Sequence, residues 1–228
     1  MKTPASKSLG KPRRASKSRR PGRPSGDATD QRERLLDAAL HHYTSHGVTA
    51  ASLRGIAEAA GVTPAMISYY FGGKAALFDA VIEERLLPVV GELRGHLETL
   101  GDDAGALIDG FVRGMHAAVE RHPWLPTLWV REVLSEGGAL RELLVTRIAE
   151  QIPRRLAEAF AHAQQQGRLN ADLDPRLLVV SLIGLTLFPL AAAPLWHQIF
   201  ASEDLDSAAL QRHTQALLER GLEVDHVR

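Results

Sequence analysis

The sequence predicts an all-α protein of about nine helices. It comprises an N-terminal three-helix helix-turn-helix domain and a larger C-terminal helical domain. Three observations lead there. Ala, Leu, Arg and Glu dominate while aromatic residues make up only 5% of the chain, a balance that favours helix. No stretch alternates polar and apolar with period two for long enough to argue for a sheet. Residues 49–79, TAASLRGIAEAAGVTPAMISYYFGGKAALFD, hold two short apolar-patterned segments around a tight Gly-containing turn, the pattern of a helix-turn-helix.

Charge is distributed unevenly. The formal net charge is zero, yet residues 1–26 carry nine Lys/Arg and no Asp/Glu. The rest holds 18 Lys/Arg against 27 Asp/Glu, a net of −9. A basic tail on an acidic body points to local contact with a polyanion. There is no cysteine, which excludes a disulfide framework and thiolate catalysis and fits a cytoplasmic protein. The basic start is not followed by the apolar run of a secretory signal.

Taken in order, residues 1–28 form a basic arm rich in Pro, Gly and Ser, expected to be disordered in isolation. Within it, Arg20-Pro21-Gly22-Arg23-Pro24 is similar to the Gly-Arg-Pro core of an AT-hook, whose arginines lie in a narrow minor groove. Pro21 departs from that pattern. Two readings stay open: Arg20 and Arg23 read the minor groove, or the tail adds only unspecific phosphate attraction.

A first helix spans 30–46, capped by Thr29 or Asp30 and ended by Gly47, with Leu36, Ala39, Leu40 and Tyr43 inward. His42 and His46 are four apart, but no third ligand is near in sequence and they read as surface residues, not a metal site. Ser52 can cap the segment Leu53–Ala60, and Gly61 stops it in a left-handed conformation. Thr63 can cap Pro64–Tyr70, with Pro64 at the first helical position, where a missing N–H costs nothing. Ile56, Ala57, Ala60, Val62 and Ile67 are the expected core, leaving Pro64, Ala65, Ser68 and Tyr69 outward.

Here the pattern becomes specific. Leu53-Arg54-x-Ile56-Ala57-x-x-Ala60-Gly61-Val62, then Ile67-Ser68-Tyr69-Tyr70-Phe71, then Lys74-x-Ala76-Leu77, follow a capped helix ending in Gly. Over about residues 31–82 this resembles the DNA-binding domain of the TetR/AcrR family of bacterial transcriptional regulators. The resemblance implies that Arg54 reaches a base edge, where Arg suits guanine O6 and N7. It places Pro64, Ala65, Ser68 and Tyr69 against bases and sugars, and Ser52, Thr63, Tyr70 and Lys74 on phosphates. Phe71 is read as the wedge locking the recognition helix to the next. Gly73 and Ala75 depart from the family's usual Ser/Asn and Glu. With such short outward side chains on the recognition helix, Arg54 carries more of the base reading.

Residues 74–100 continue as a long helix that, by resemblance, bridges to the C-terminal domain; Pro88 either kinks it or starts a new helix. Domain limits follow at 29–82 for DNA binding and 83–228 for the effector and dimer domain. Further helices are expected over 102–121, with Leu107, Phe111, Met115 and Val119 at spacings of four, and over 127–135 and 139–166. Two more are expected over 175–200 and 206–224. Leu177–Ser202 contains no Asp, Glu, Lys or Arg, but Pro189 and Pro194 interrupt it, so a helix buried in protein is the expected reading and not a membrane span.

By resemblance, helices 175–200 and 206–224 pair with those of a second copy as a four-helix bundle. A two-fold dimer also suits an inverted repeat in double-stranded DNA. The family's small-molecule site lies among helices at about 103–196. Candidate lining residues are Phe111, Met115, His116, Trp124, Trp129, Arg131, Phe188 and Trp196, because aromatic walls with a few polar groups suit such sites. No phosphate-binding Gly-rich loop, HExxH or nucleophile elbow occurs. The expectation is a homodimeric repressor with no cofactor, released by a small molecule. An architectural DNA-binding protein without an effector is the alternative.

Overall fold

Helix α1, Ser25–His46, is the first element of the computed structural model, which describes residues 25–202 and 204–222. The candidate arm residues Arg20 and Arg23 lie outside the described residues. Leu35, Leu36, Ala39, Leu40 and Tyr43 of α1 are buried, as helical spacing requires. Gly47, at φ +88°, turns the chain out of α1. Helix α2 (Leu53–Ala59) then packs across α1, and α3 (Pro64–Phe71) packs on α2. Ile56, Ala57 and Ile67 are fully buried between them, and each large apolar side chain contributes about 1.5–3 kcal/mol through burial. Val62 is half-buried rather than core. Gly61, at φ +68°, makes the turn, a conformation that is uncommon for residues with a Cβ.

α4 (Lys74–Val81) runs through a π-helical turn, Ile82–Leu86, into α5 (Leu87–Glu98). Pro88 therefore sits in the first turn of α5 without ending the rod. It has no N–H for the Glu84 carbonyl, which accepts instead from Arg85 Nη1 at 3.3 Å. The π turn takes up the misfit.

The C-terminal domain centres on α6 (Ala104–Arg121), capped by Asp103, with Leu107, Phe111 and Met115 buried. α7 (Leu125–Trp129) continues into a second π turn, Val130–Leu134. The expected helix over 139–166 is divided. It consists of short α8 (Arg141–Leu143), a third π turn Leu144–Ile148, and α9 (Pro153–Gln165). The expected helix over 175–200 is also two: α10 (Pro175–Ala191) and α11 (Ala193–Phe200), bent by 68°. Pro194 starts α11 in its first turn. No single described helix is long and apolar enough to cross a membrane, although the bent pair passes on length and composition together.

α12 (Ser207–Leu222) packs on α6 and α10. Thr214 and Leu218 face inward and are buried, whereas His213 and Leu217 are exposed. Thr214 tolerates burial by bonding the Leu185 carbonyl at 3.4 Å.

Two hydrophobic clusters result. One holds the helix-turn-helix core and extends to Leu86, Leu128 and Leu140; the other is built from α5, α6, α9, α10 and α12. Leu128 and Leu140 thus belong by packing to the helix-turn-helix end, although they come from the later half of the chain.

Candidate functional site

The start of α2 is fixed by Ser52, in extended conformation, whose Oγ accepts from the Gly55 N–H at 3.1 Å. Arg54 follows and is exposed. Thr63 is also extended, but its side chain makes no capping hydrogen bond, contrary to expectation. α3 starts on Pro64 instead, whose fixed φ suits the first turn. Pro64, Ala65, Ser68 and Tyr69 form one exposed face, with Ile67 buried opposite. Tyr69 is 71% exposed. These positions match the outward set expected from sequence.

Tyr70 and Lys74 have partners within the chain. Tyr70 Oη donates to Gln31 Oε1 at 3.2 Å, and Lys74 Nζ donates to the Thr49 carbonyl at 2.9 Å. Gly73 offers no side-chain cap to α4. Phe71 packs against the core of this domain with the Arg32 guanidinium 5.1 Å from its ring centre, which agrees with a wedge between α3 and its neighbours.

The DNA-binding domain is tied to the bridging rod through charge. Arg32 donates to both oxygens of Glu84, at 2.7 and 2.5 Å. That contact holds the Glu84 carboxyl below its ordinary range, against the opposing effect of burial. Arg85 reaches Glu33 at 2.6 Å and Asp37 at 2.9 Å. Arg147, on the third π turn, meets Glu83 at 2.5 Å.

A second tie is buried. Glu132, only 4% exposed, accepts from the Val48 N–H through Oε1 at 2.9 Å and from the Ala139 N–H through Oε2 at 3.0 Å. The Leu140 N–H donates to the Glu132 carbonyl at 3.0 Å. Gly138 is required for this close approach, because a Cβ there would overlap the Glu132 backbone. Sequence reasoning missed Glu132; its only local signal was the Gly137-Gly138 pair just after it.

Beside this tie lies a cavity of about 110 Å³. Phe111, Met115 and Trp129, three of the expected residues, line it. The rest of its wall is Leu, Val, Ile, Ala and Pro, with no charged, hydroxyl or amide side chain among the described residues that line it. The expected scattering of polar groups is therefore not found. Phe188 instead lines an adjoining groove of about 480 Å³, shared at Trp129, Leu144, Pro153 and Ile183.

The remaining candidates sit elsewhere. His116 is buried against α12, its Nδ1 3.2 Å from Ser207 Oγ. Burial lowers its pKa, with nearby Glu120 opposing. Trp124 packs on the helix-turn-helix cluster, Arg131 is exposed beside Gly47, and Trp196 Nε1 donates to the Pro189 carbonyl at 2.8 Å.

Comparison with known proteins places this arrangement. Residues 35–81 match the family described as bacterial regulatory proteins, tetR family, and residues 106–220 match the tetracyclin repressor-like C-terminal domain. The chain belongs to the tetR family. The transcriptional regulator AcuR of Cereibacter sphaeroides is 32% identical over 170 residues, 70% of this chain and 75% of AcuR. Among solved structures, the fatty acid degradation regulator FadR of Bacillus halodurans superposes with a TM-score of 0.63 at 22% identity, over 85% of this chain and 97% of that one. FadR of Bacillus subtilis, solved in complex with stearoyl-CoA, gives 0.62 at 18% identity, over 84% and 99%. This tetR-family chain is thus a DNA-binding regulator by fold and by relatives.

Proposed function

We propose that this chain is a homodimeric cytoplasmic repressor, bound to an inverted repeat in double-stranded DNA and released when a small molecule occupies the cavity. One observation carries the reading. Leu86, Leu128 and Leu140 line the cavity and also belong to the hydrophobic cluster that contains Ile56 and Ile67 of the helix-turn-helix. A ligand that moves those leucines acts on the packing of the recognition helix. The Glu132–Val48 bond adds a polar link along the same route. The ligand must bind the two states with different affinity, or it shifts nothing.

In this reading Arg54 contacts a base edge, α3 presents Pro64, Ala65, Ser68 and Tyr69 to the major groove, and Ser52, Thr63, Tyr70 and Lys74 meet phosphates. The 29–82 and 83–228 limits divide the work between DNA and effector. The dimer face is the outer stripe of α10. Leu177, Val180 and Phe188 are 63–67% exposed there, while Leu178, Leu182 and Leu187 pack inward. Leu195 and Ile199 of α11 and Leu217 of α12 extend the exposed apolar surface. Apolar area of this kind marks a partner, and a second copy of the chain covers it.

Binding-site selection from random duplexes, followed by a small-molecule screen for DNA release, tests the reading. A selected inverted repeat released by a small molecule supports it. Selection that returns no preferred sequence favours the architectural alternative.

A further inference from the structure

We propose that the cavity takes a compact, uncharged, apolar molecule of about the size of one aromatic ring, and that it excludes carboxylates. The proposal rests on the reading of this cavity as the effector site and adds the chemical class of the effector.

The wall sets the polarity. An ionised group moved there loses its water and finds no counter-charge, since no described lining side chain is charged or carries a hydroxyl or amide. Pro153 lines the cavity without a backbone N–H to offer, and the Arg154 N–H beside it is engaged by the Ala149 carbonyl at 3.0 Å. The arginines of the adjoining groove are directed elsewhere. Arg154 pairs with Glu150, and Arg176 pairs with Asp174 at 2.5 Å; their side chains are 58% and 83% exposed.

The volume sets the size. Apolar cavities of about 150 Å³ take up benzene; this one measures about 110 Å³ and shares Trp129, Leu144, Pro153 and Ile183 with the adjoining groove, so it holds at most one ring, with any small substituent toward that groove. Phe111 and Trp129 offer ring surfaces, and Met115 has the rotational freedom to adjust to a guest.

Calorimetric titration of the full chain with toluene and with benzoate tests the proposal. These probes match in ring size and differ in charge. Toluene is expected to bind once per chain, and benzoate at least tenfold more weakly. Ala118→Leu, which fills the cavity from α6, is expected to weaken toluene at least tenfold; Ala118→Val, a smaller filling, serves if that variant does not melt cooperatively. Equal binding of toluene and benzoate, tighter binding of stearoyl-CoA, or undiminished toluene binding in the filled variant overturns the assignment. Binding of neither probe overturns it as well. Toluene binding as described without release of the selected DNA upholds the ligand class and removes the release reading instead.

Discussion

Glu132 Oε1 accepts the Val48 N–H at 2.9 Å across 84 residues of sequence. The contact joins the loop after α1 to the π turn that follows α7. Replacing Glu132 by Ala leaves the buried Val48 donor and the half-buried Ala139 donor without this partner. Each such donor costs about 1–3 kcal/mol. Urea unfolding is expected to show a loss in that range or above for Glu132→Ala, and a smaller one for Glu132→Gln, which keeps one acceptor. Stability unchanged in both variants would mean that the tie is incidental.

Arg54 stands exposed beside the Ser52 cap at the start of α2. Arg54→Ala is expected to cost about 1–3 kcal/mol in DNA binding and to relax preference at one position per half-site. Equal weakening on every sequence would reassign Arg54 to a phosphate.

His116 gives a pH dependence of known sign. Its pKa lies below the ordinary 6.5 because burial disfavours the charged ring. The unfolded chain therefore binds a proton at a pH where the folded chain does not, and stability falls as pH drops below about 6.5 toward the lower folded value. His42 is shifted in the same direction. His116→Phe is expected to flatten part of this dependence in urea unfolding followed between about pH 7 and pH 5.5. An identical slope in the variant would show that the ring is protonated without penalty.

Val180, 63% exposed on the outer stripe of α10, tests the dimer. Val180→Glu places a charge in the face proposed to be buried between two copies. Light scattering is expected to show the wild-type chain as a dimer and the variant shifted toward monomer. A monomeric wild type at micromolar concentration would overturn the assignment of this face.

The helix-turn-helix was legible because its signals are local. Ser52 as a cap, Gly61 at positive φ and Pro64 in the first turn lie within thirteen residues. Thr63 shows the limit, since an extended backbone permits a cap without directing the hydroxyl to an N–H. The π turns left only Pro88 as a trace, because a one-residue shift in hydrogen bonding hardly alters apolar periodicity. The cavity wall was legible only in part, through Phe111, Met115 and Trp129. Aromatic residue type suggested Trp124 and Trp196, yet most of the wall is Leu, Val and Ile from five or more separate segments. Glu132 was hidden for the reason that makes it informative: its partner Val48 is distant in sequence, and nothing near it distinguishes it from a solvated glutamate.

Fluorescence anisotropy with a selected inverted repeat and its scrambled counterpart, at one fixed salt concentration, tests whether a dimer of this chain reads sequence. Two chains per duplex and a preference of at least about 10³-fold for the repeat are expected. Equal affinity for the two duplexes would contradict that expectation.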